Sequence, residues 1–280
     1  MRSHLLTNAQ LSDFHRRGYF FLRSLFDRDE CSVLRDALSG GTSGEKFQRQ
    51  DGEGGTTQIT IWNQANDDPS GLVGRMPRMV EPVEQVLEGE VYLYHAKLTC
   101  KEPFTGGAWA WHQDYGYWYN NGCLFPLMAS IMVALDPCTR ENGCLQVLEG
   151  SQLLGRINHQ QVGDQTGADP ERVQYAAKVL PLIHCAMDPG DGLLFHCNTL
   201  HRSDQNRSPH RRCTFICCYN AARNDPYKKH HHPNYTKLVR VSDAVLKESR
   251  NRPQMLGRAE ALERRFKTYA TTAGIGSSKK

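Results

Sequence analysis

The pattern of apolar and polar positions divides the chain into a helical beginning and a long series of short strands. Thr7, followed three residues later by Gln10, has the form of a capping box and predicts a first helix that Gly18 ends. The apolar residues 19–22 then predict a short buried strand, and Asp27 begins a second capping signature. We therefore expect a helix–strand–helix unit in the first forty residues.

Beyond residue 57 the pattern changes to short β-type runs that turn residues separate. Before them, residues 39–57 are rich in Gly, Ser, Thr and charge and are expected to form a mobile loop. A helix is expected over residues 79–87, with Pro82 in its first turn. The predicted strands are residues 58–62, 91–94, 96–100, 129–135, 144–148, 179–183, 193–196 and 214–219.

Many short strands after a helical start are typical of a mostly β protein, a barrel or jelly roll with flanking helices. We expect one domain over residues 1–280. It would consist of a helical and mixed part at about 1–90, a β core at about 91–222 and a helical C-terminal extension at about 235–270.

Composition and charge exclude several classes of protein. A net charge of +4 over 280 residues, without a stripe of Lys and Arg, argues against a nucleic-acid partner. No run of about 18 apolar residues occurs, so no membrane span is expected, and no secretory signal is recognisable. We expect a cytoplasmic protein that acts on a small molecule, with its ten cysteines as reduced thiols. The oligomeric state is not predicted.

The first candidate site is the sequence Trp111-His112-Gln113-Asp114. Residues two apart on a strand point to the same face, so His112 and Asp114 can both reach one metal ion. This pair of residue types is common by chance, and it becomes informative only together with further candidates.

His201 supplies the second candidate. An apolar strand in residues 192–203 ends there in polar residues, as expected at the mouth of a barrel. Two neutral imidazoles and one carboxylate form the facial triad of non-haem iron(II) oxygenases, which leaves coordination positions open for a cosubstrate and O₂. His184, His196 and His210 are alternatives for the third ligand, and His201 is preferred because His196 lies inside the apolar strand.

Arg212, eleven residues after His201, is the third candidate. A dicarboxylate with one end on the metal needs a fixed cation at its other end, and a guanidinium meets a carboxylate through two hydrogen bonds. Ser203 adds a hydroxyl group that can bind the same carboxylate.

Aromatic residues follow the first candidate site directly. Tyr115, Tyr117 and Trp118 are expected to contact an apolar or flat substrate at the barrel mouth. The tract His230-His231-His232 is interpreted as a surface loop, because adjacent residues cannot all face one ion and Pro233 follows.

Over residues 11–219 the chain resembles the phytanoyl-CoA dioxygenase family. The features that carry the resemblance are the helix–strand–helix of residues 14–38, the segment 98–103, Trp111-His112-Gln113-Asp114, Glu141-Asn142-Gly143, Glu149-Gly150-Ser151, Pro189-Gly190-Asp191, and His201-Arg202-Ser203 leading to Arg211-Arg212. The resemblance implies a double-stranded β-helix, a jelly-roll and cupin-like core. It also implies iron(II), 2-oxoglutarate and O₂, with hydroxylation of a small organic substrate and release of succinate and CO₂. Ascorbate would serve as a reductant.

By position, the resemblance assigns His112, Asp114 and His201 as metal ligands and catalytic residues. Ser203 and Arg212 correspond to residues that bind 2-oxoglutarate.

Two further residues are assigned to the cosubstrate pocket by the same resemblance. Lys97 lies four residues before Lys101, at a position that lines this pocket in relatives. Met132 stands where relatives commonly carry a tryptophan beside the pocket, and Gln152 stands where they usually carry a histidine.

Two other functions stay open, and the departures at Met132 and Gln152 support only the first of them. One is a relative that binds metal and 2-oxoglutarate without turnover, against which the intact Asp114 argues. The other is a cupin-like metalloenzyme that does not use 2-oxoglutarate.

Overall fold

The computed structural model describes residues 4–39, 44–162 and 165–250 of the chain. Local signals explain its first helix, because Thr7 and Gln10 form the expected capping box and Gly18 ends the helix with a φ of 82°. The α-helices in these residues are α1 (Asn8–Arg17), α2 (Arg28–Ser39), α3 (Pro69–Val73), α4 (Pro77–Val86), α5 (Asp114–Trp118), α6 (Pro170–Val179) and α7 (Val245–Arg250).

The strands of the described residues form antiparallel sheets. A seven-stranded sheet has the order β1-β11-β6-β13-β4-β3-β2, a four-stranded sheet has the order β10-β7-β12-β5, and β8 pairs with β9. Their bounds are β1 (Tyr19–Leu22), β2 (Glu45–Gln50), β3 (Thr56–Trp62), β4 (Val91–Lys101), β5 (Trp109–His112), β6 (Met128–Ala134), β7 (Leu145–Leu148), β8 (His159–Val162), β9 (Gln165–Ala168), β10 (Leu182–Cys185), β11 (Gly192–His196), β12 (His201–Ser203) and β13 (Arg212–Ala221).

Alternating side chains give the seven-stranded sheet two buried faces. On one face, Leu98 and Phe215 belong to an apolar cluster with side chains of α1, α2 and α4. On the other face, Met132 and Ile216 pack in a second cluster with Val147 of the four-stranded sheet. The two sheets thus face each other as a jelly roll with helices outside, which confirms the expected fold class.

The N-terminal part and the predicted β core share one sheet. β1 pairs with β11, and β3 pairs with β4. The extension expected at about 235–270 is described only as far as α7, and its remainder lies outside the described residues. The single domain over residues 1–280 stays a prediction. No helix in the described part of the chain combines the length and apolar character that crossing a membrane requires.

The prediction of a mobile loop over residues 39–57 was wrong for the part of it that forms strands. Residues 45–50 form β2, which pairs with β3 from Glu45 opposite Ile61 to Gln50 opposite Thr56. The strand escaped prediction because it is polar on both faces, as edge strands often are. Residues 40–43 lie outside the described residues.

Two other element predictions need correction. α4 begins at Pro77, so Pro82 lies inside the helix instead of in its first turn. α6 was not predicted, although Asp169 caps it and Pro170 occupies its first turn, and β10 begins only at Leu182.

The expectation that every cysteine is a reduced thiol is also wrong in this structure. Cys100 and Cys213 lie opposite each other on β4 and β13 and form a disulfide. Their separation of 113 residues hides a contact that only strand pairing creates. The other eight cysteines are free and buried.

Candidate active site

Strand pairing brings the two candidate histidines together. His112 ends β5 and lies opposite His201, which begins β12, and their ring centroids are 4.1 Å apart. The Nδ1 of His112 is 2.8 Å from the carbonyl oxygen of Ala110, and that of His201 is 2.9 Å from the carbonyl of Thr199. A carbonyl oxygen only accepts, so both Nδ1 atoms carry hydrogen and both Nε2 atoms keep a lone pair for a metal ion.

Asp114 completes the cluster from a position that differs from the expected one. It begins α5 and does not continue the strand of His112. Gln113 between them keeps an extended backbone, and its side-chain amide donates to the carbonyl of Asn198 at 2.7 Å. An Asp114 carboxylate oxygen lies 3.9 Å from Nε2 of His201.

This donor set fits an iron(II) ion. One ligand atom from each of His112, Asp114 and His201 lies within 4.8 Å of the other two, and all three residues are buried. Among the described residues, these three are the group of three or more histidines, cysteines and acids that lie close enough together to hold one metal ion. Burial lowers the pKa of both histidines, so the imidazoles are neutral, the form that binds metal.

A cavity of about 490 Å³ between the two sheets contains this cluster and Arg212. Arg212 is the first residue of β13 and lies opposite Lys101 in the register of β4. Its guanidinium is buried, and its Nε has no hydrogen-bond partner within the described chain. None of the ion pairs of the described residues includes Arg212, and a buried cation without a counterion is unfavourable, so this environment fits a bound carboxylate.

Ser203 is joined by a hydrogen bond to Lys101, the residue that lies opposite Arg212. The Nζ of Lys101 donates to Oγ of Ser203 at 2.7 Å and to the carbonyl of Asp204 at 2.5 Å. Burial, with Arg212 nearby, holds the pKa of Lys101 well below its ordinary value. Sequence reasoning missed Lys101, although it belongs to the segment from which Lys97 was counted.

Lys97 and Met132 both line the cavity. The register places Lys97 beside Ile216 of β13, which in turn lies beside Met132 of β6. Gln152, in contrast, lies away from the cavity, where its amide donates to the carbonyl of His15 at 2.9 Å. This departure from the family pattern therefore joins the 3₁₀ turn of residues Ser151–Leu154 to α1.

The three predicted aromatic residues are placed differently from one another. Tyr117 and Trp118 line the cavity, and the Tyr117 hydroxyl donates to the carbonyl of Thr166 at 2.5 Å. Tyr115 is outside the cavity lining, and its hydroxyl donates to the carbonyl of Cys123 at 3.0 Å.

Residues that the sequence did not indicate also line the cavity. His231 and His232, expected in a surface loop, reach it together with His95 of β4. Arg49 of β2 lines the same cavity, in a segment that was expected to be a mobile loop. The sequence shows the charge of Arg49 and the run of histidines that includes His231 and His232. It does not show that these residues line one cavity.

A buried pair of histidines, a carboxylate and a distant guanidinium in a jelly roll define a class of enzyme, the iron(II)- and 2-oxoglutarate-dependent oxygenases. The profile of one family of this class, described as Phytanoyl-CoA dioxygenase (PhyH), matches residues 14–214. The chain belongs to this family. It is an iron(II)- and 2-oxoglutarate-dependent dioxygenase, with O₂ as the second cosubstrate.

Characterised relatives cover most of the chain. It is 30% identical to the L-proline trans-4-hydroxylase of Streptomyces griseoviridis over 231 residues, which are 76% of this chain and 86% of the relative. It is 27% identical to the ectoine dioxygenase of Halomonas elongata over 244 residues, 79% of this chain and 73% of the relative.

Solved structures show the same fold. EctD from S. alaskensis with 2-oxoglutarate and 5-hydroxyectoine superposes with a TM-score of 0.70 at 22% identity, over 85% of this chain and 88% of that one. The carbocyclase SnoK from nogalamycin biosynthesis superposes with a TM-score of 0.66 at 17% identity, over 83% and 95%.

Proposed function

We propose that the protein hydroxylates a small organic substrate and converts 2-oxoglutarate to succinate and CO₂. The observation that carries this proposal is the position of Arg212, buried and outside every ion pair of the described residues, in the same cavity as His112, Asp114 and His201. A metalloenzyme without 2-oxoglutarate would leave this guanidinium without a counterion.

His112, Asp114 and His201 would hold the iron as its catalytic ligands. Bound there, iron(II) supplies the activation of O₂ that the oxidation needs. The protein fixes the ligands, because the carbonyls of Ala110 and Thr199 set the orientation and tautomer of the two imidazoles.

The far carboxylate of 2-oxoglutarate would bind Arg212 and the hydroxyl of Ser203. Lys101, opposite Arg212 in the register, holds that hydroxyl through the hydrogen bond from its Nζ. Met132 and the aliphatic stem of Lys97 would border the cosubstrate between this end and the metal.

The substrate would enter beside Tyr117 and Trp118, which line the cavity, while Tyr115 supports their helix from outside the lining. A cavity of about 490 Å³ suits a small molecule together with 2-oxoglutarate. The relatives named for L-proline and ectoine support a small polar substrate. A cytoplasmic location and the use of ascorbate stay predictions.

The test is aerobic conversion of 2-oxoglutarate to succinate by the full chain with iron(II), with and without a panel of small metabolites. We expect substrate-stimulated succinate formation in wild type and none in a His112→Ala/Asp114→Ala variant, because two of three ligands are lost. Equal activity of the two proteins would falsify the proposed role of the cluster.

A further inference from the structure

Three histidine rings form a stacked wall in the cavity beside the metal cluster. His95 stacks on His232 with ring centroids 4.5 Å apart and an interplanar angle of 15°, and His231 lies 4.1 Å from His232. Trp118 packs edge-on against His95 at 5.8 Å. We call His95, His231 and His232 the histidine wall. Two of its members come from the segment after β13 and one from β4, so its position depends on the complete fold.

The register gives the distance of this wall from the metal cluster. His95 lies opposite Cys218 of β13, which lies opposite Ser130 of β6. The hydroxyl of Ser130 is 3.4 Å from the Asp114 carboxylate. Two strand spacings amount to roughly 10 Å, so a small molecule can contact the wall and still reach the metal cluster.

The wall presents a hydrogen-bond acceptor to the cavity. Nδ1 of His232 is 2.8 Å from Oδ1 of Asn63, which only accepts, so Nδ1 carries the hydrogen and Nε2 keeps a lone pair. His95 is 4% exposed and its Nδ1 is enclosed by the protein, so the acceptor that the wall presents to the cavity is Nε2 of His232. Burial lowers the pKa of His95 well below its ordinary value and that of His232 to about 3, so both rings are neutral.

A cation lies between the wall and the metal cluster. Lys97 is two residues from His95 on the same face of β4, and both line the cavity. The same cavity is lined by His112 and His201, so Lys97 shares it with both the wall and the metal cluster. None of the ion pairs found in the described chain includes Lys97. The cavity thus offers a cation outside every ion pair of the described residues next to a neutral acceptor, Nε2 of His232.

We propose that Lys97 and the histidine wall recognise the head group of a free amino acid, which is the substrate. The carboxylate binds the Lys97 ammonium, and the protonated amine donates to Nε2 of His232, whose ring His95 holds in place by stacking. This places a side-chain carbon of the amino acid toward the metal cluster. The inference rests on the proposed function and specifies its substrate class.

The test uses the full chain with iron(II), 2-oxoglutarate and O₂, and a panel of the proteinogenic L-amino acids with L-pipecolate. At least one free amino acid is expected to accelerate succinate formation, while its methyl ester and its N-acetyl derivative do not. His232→Phe keeps a ring in the stack but removes the acceptor. It is expected to raise KM for the amino acid about tenfold or more, because a hydrogen bond to a charged group is lost, and to leave KM for 2-oxoglutarate unchanged.

Lys97→Met is the second variant, a substitution of similar length that tests the carboxylate contact independently. It is expected to raise KM for the same amino acid by a similar factor. His210→Phe, in the turn before β13 and away from this cavity, is the matched control and should behave as wild type.

The inference is overturned if no free amino acid accelerates succinate formation, if an acid without an amine does so instead, or if both variants keep the wild-type KM. Thermal unfolding with Mn(II) and 2-oxoglutarate distinguishes this from failure of the proposed function. If 2-oxoglutarate stabilises the protein but no amino acid of the panel accelerates succinate formation, only the amino-acid inference is wrong. If 2-oxoglutarate does not stabilise the protein, the proposed function is wrong.

Discussion

Among single side chains, Arg212 has the most demanding environment. It is 3% exposed, its Nε has no hydrogen-bond partner in the described chain, and the buried amine of Lys101 lies opposite it. Such an arrangement destabilises the empty protein and favours binding of an anion. Under the role that we propose for Arg212, stability and cosubstrate affinity therefore oppose each other at this position.

Replacing this cation separates the two effects. Arg212→Leu is expected to raise KM for 2-oxoglutarate roughly tenfold to a hundredfold, because hydrogen bonds to charged groups contribute about 1.5–3 kcal/mol. The Tm of the metal-free protein should stay the same or rise, since the buried charge is gone. Steady-state kinetics and thermal unfolding measure both quantities.

Arg211→Leu is the matched control, because Arg211 pairs with Asp136 and does not line the cavity. It should leave KM for 2-oxoglutarate unchanged. A wild-type KM in Arg212→Leu, or a large loss of Tm in that variant, would count against a cosubstrate role for the guanidinium.

Single residues were predictable from sequence where their spacing is local. His112 and Asp114 are two residues apart, and Ser203 and Arg212 follow His201 closely, so one or two strands connect them. His95 and His232 are 137 positions apart and meet only through the path of the chain after β13. No pattern along the sequence indicates that contact.

At the level of elements, the short strand β12 determines where His201 and Ser203 lie. It pairs with β5 on one side and β7 on the other. The turn before β7 supports its end: Gly143 has a φ of 76°, and a Cβ there would lie 2.2 Å from the carbonyl oxygen of Asp204. Only glycine fits this contact without moving the chain next to Ser203.

Gly143→Ala is accordingly expected to lower Tm and to raise KM for 2-oxoglutarate. The left-handed backbone costs an alanine roughly 1–2 kcal/mol, and the contact with Asp204 adds to it by displacing Ser203. Urea unfolding and steady-state kinetics measure the two effects.

Gly54→Ala provides the comparison, because Gly54 has a φ of 90° and nothing within 4 Å of an added Cβ. It should show only the backbone cost and a normal KM. If Gly143→Ala and Gly54→Ala behave alike, the contact with Asp204 does not position the site.

Elements with strong local signals were predictable, and those that depend on partners were not. α1 and β1 have caps and an apolar run, and both lie where the sequence places them. β2 has a polar composition that resembles a loop, and its strand conformation depends on pairing with β3. α5 interrupts the extended segment at Asp114. No side chain caps this helix, so the sequence carries no signal for its beginning.

For the whole molecule, buried neutral histidines connect folding to pH. Burial lowers the pKa of His196 to about 4 and that of His232 to about 3, and it lowers the pKa of His95 in the same direction. The unfolded chain binds protons near the ordinary histidine value of about 6.5. The stability is thus complete above that pH and is lost as the pH falls toward the folded-state values.

The free energy of unfolding of the metal-free protein should therefore be lower at pH 5 than at pH 7.5, as urea titrations at both pH values can measure. His232→Phe should reduce the difference, because one proton-binding group is removed. Equal or greater stability at pH 5 would contradict neutral burial of these rings.

The jelly-roll architecture was predictable because many short strands with helices at the start restrict the possible folds. The cavity contents were only partly predictable. Strand order brings β2, β4 and the segment after β13 to one cavity, and this order involves pairs far apart in the sequence. The residues proposed for the cosubstrate end of the cavity could be predicted from their local spacing. Those proposed for the substrate end could be found only in the three-dimensional structure.

The most direct measurement is an anaerobic titration of the iron(II)-loaded protein with 2-oxoglutarate, followed by the visible charge-transfer absorption of the complex. We predict saturation at one equivalent per chain in wild type. The His112→Ala/Asp114→Ala variant should give no absorption, and Arg212→Leu should need a much higher 2-oxoglutarate concentration. Absorption that persists in the double variant, or that never develops in wild type, would contradict the assignment of this cavity as the iron and 2-oxoglutarate site.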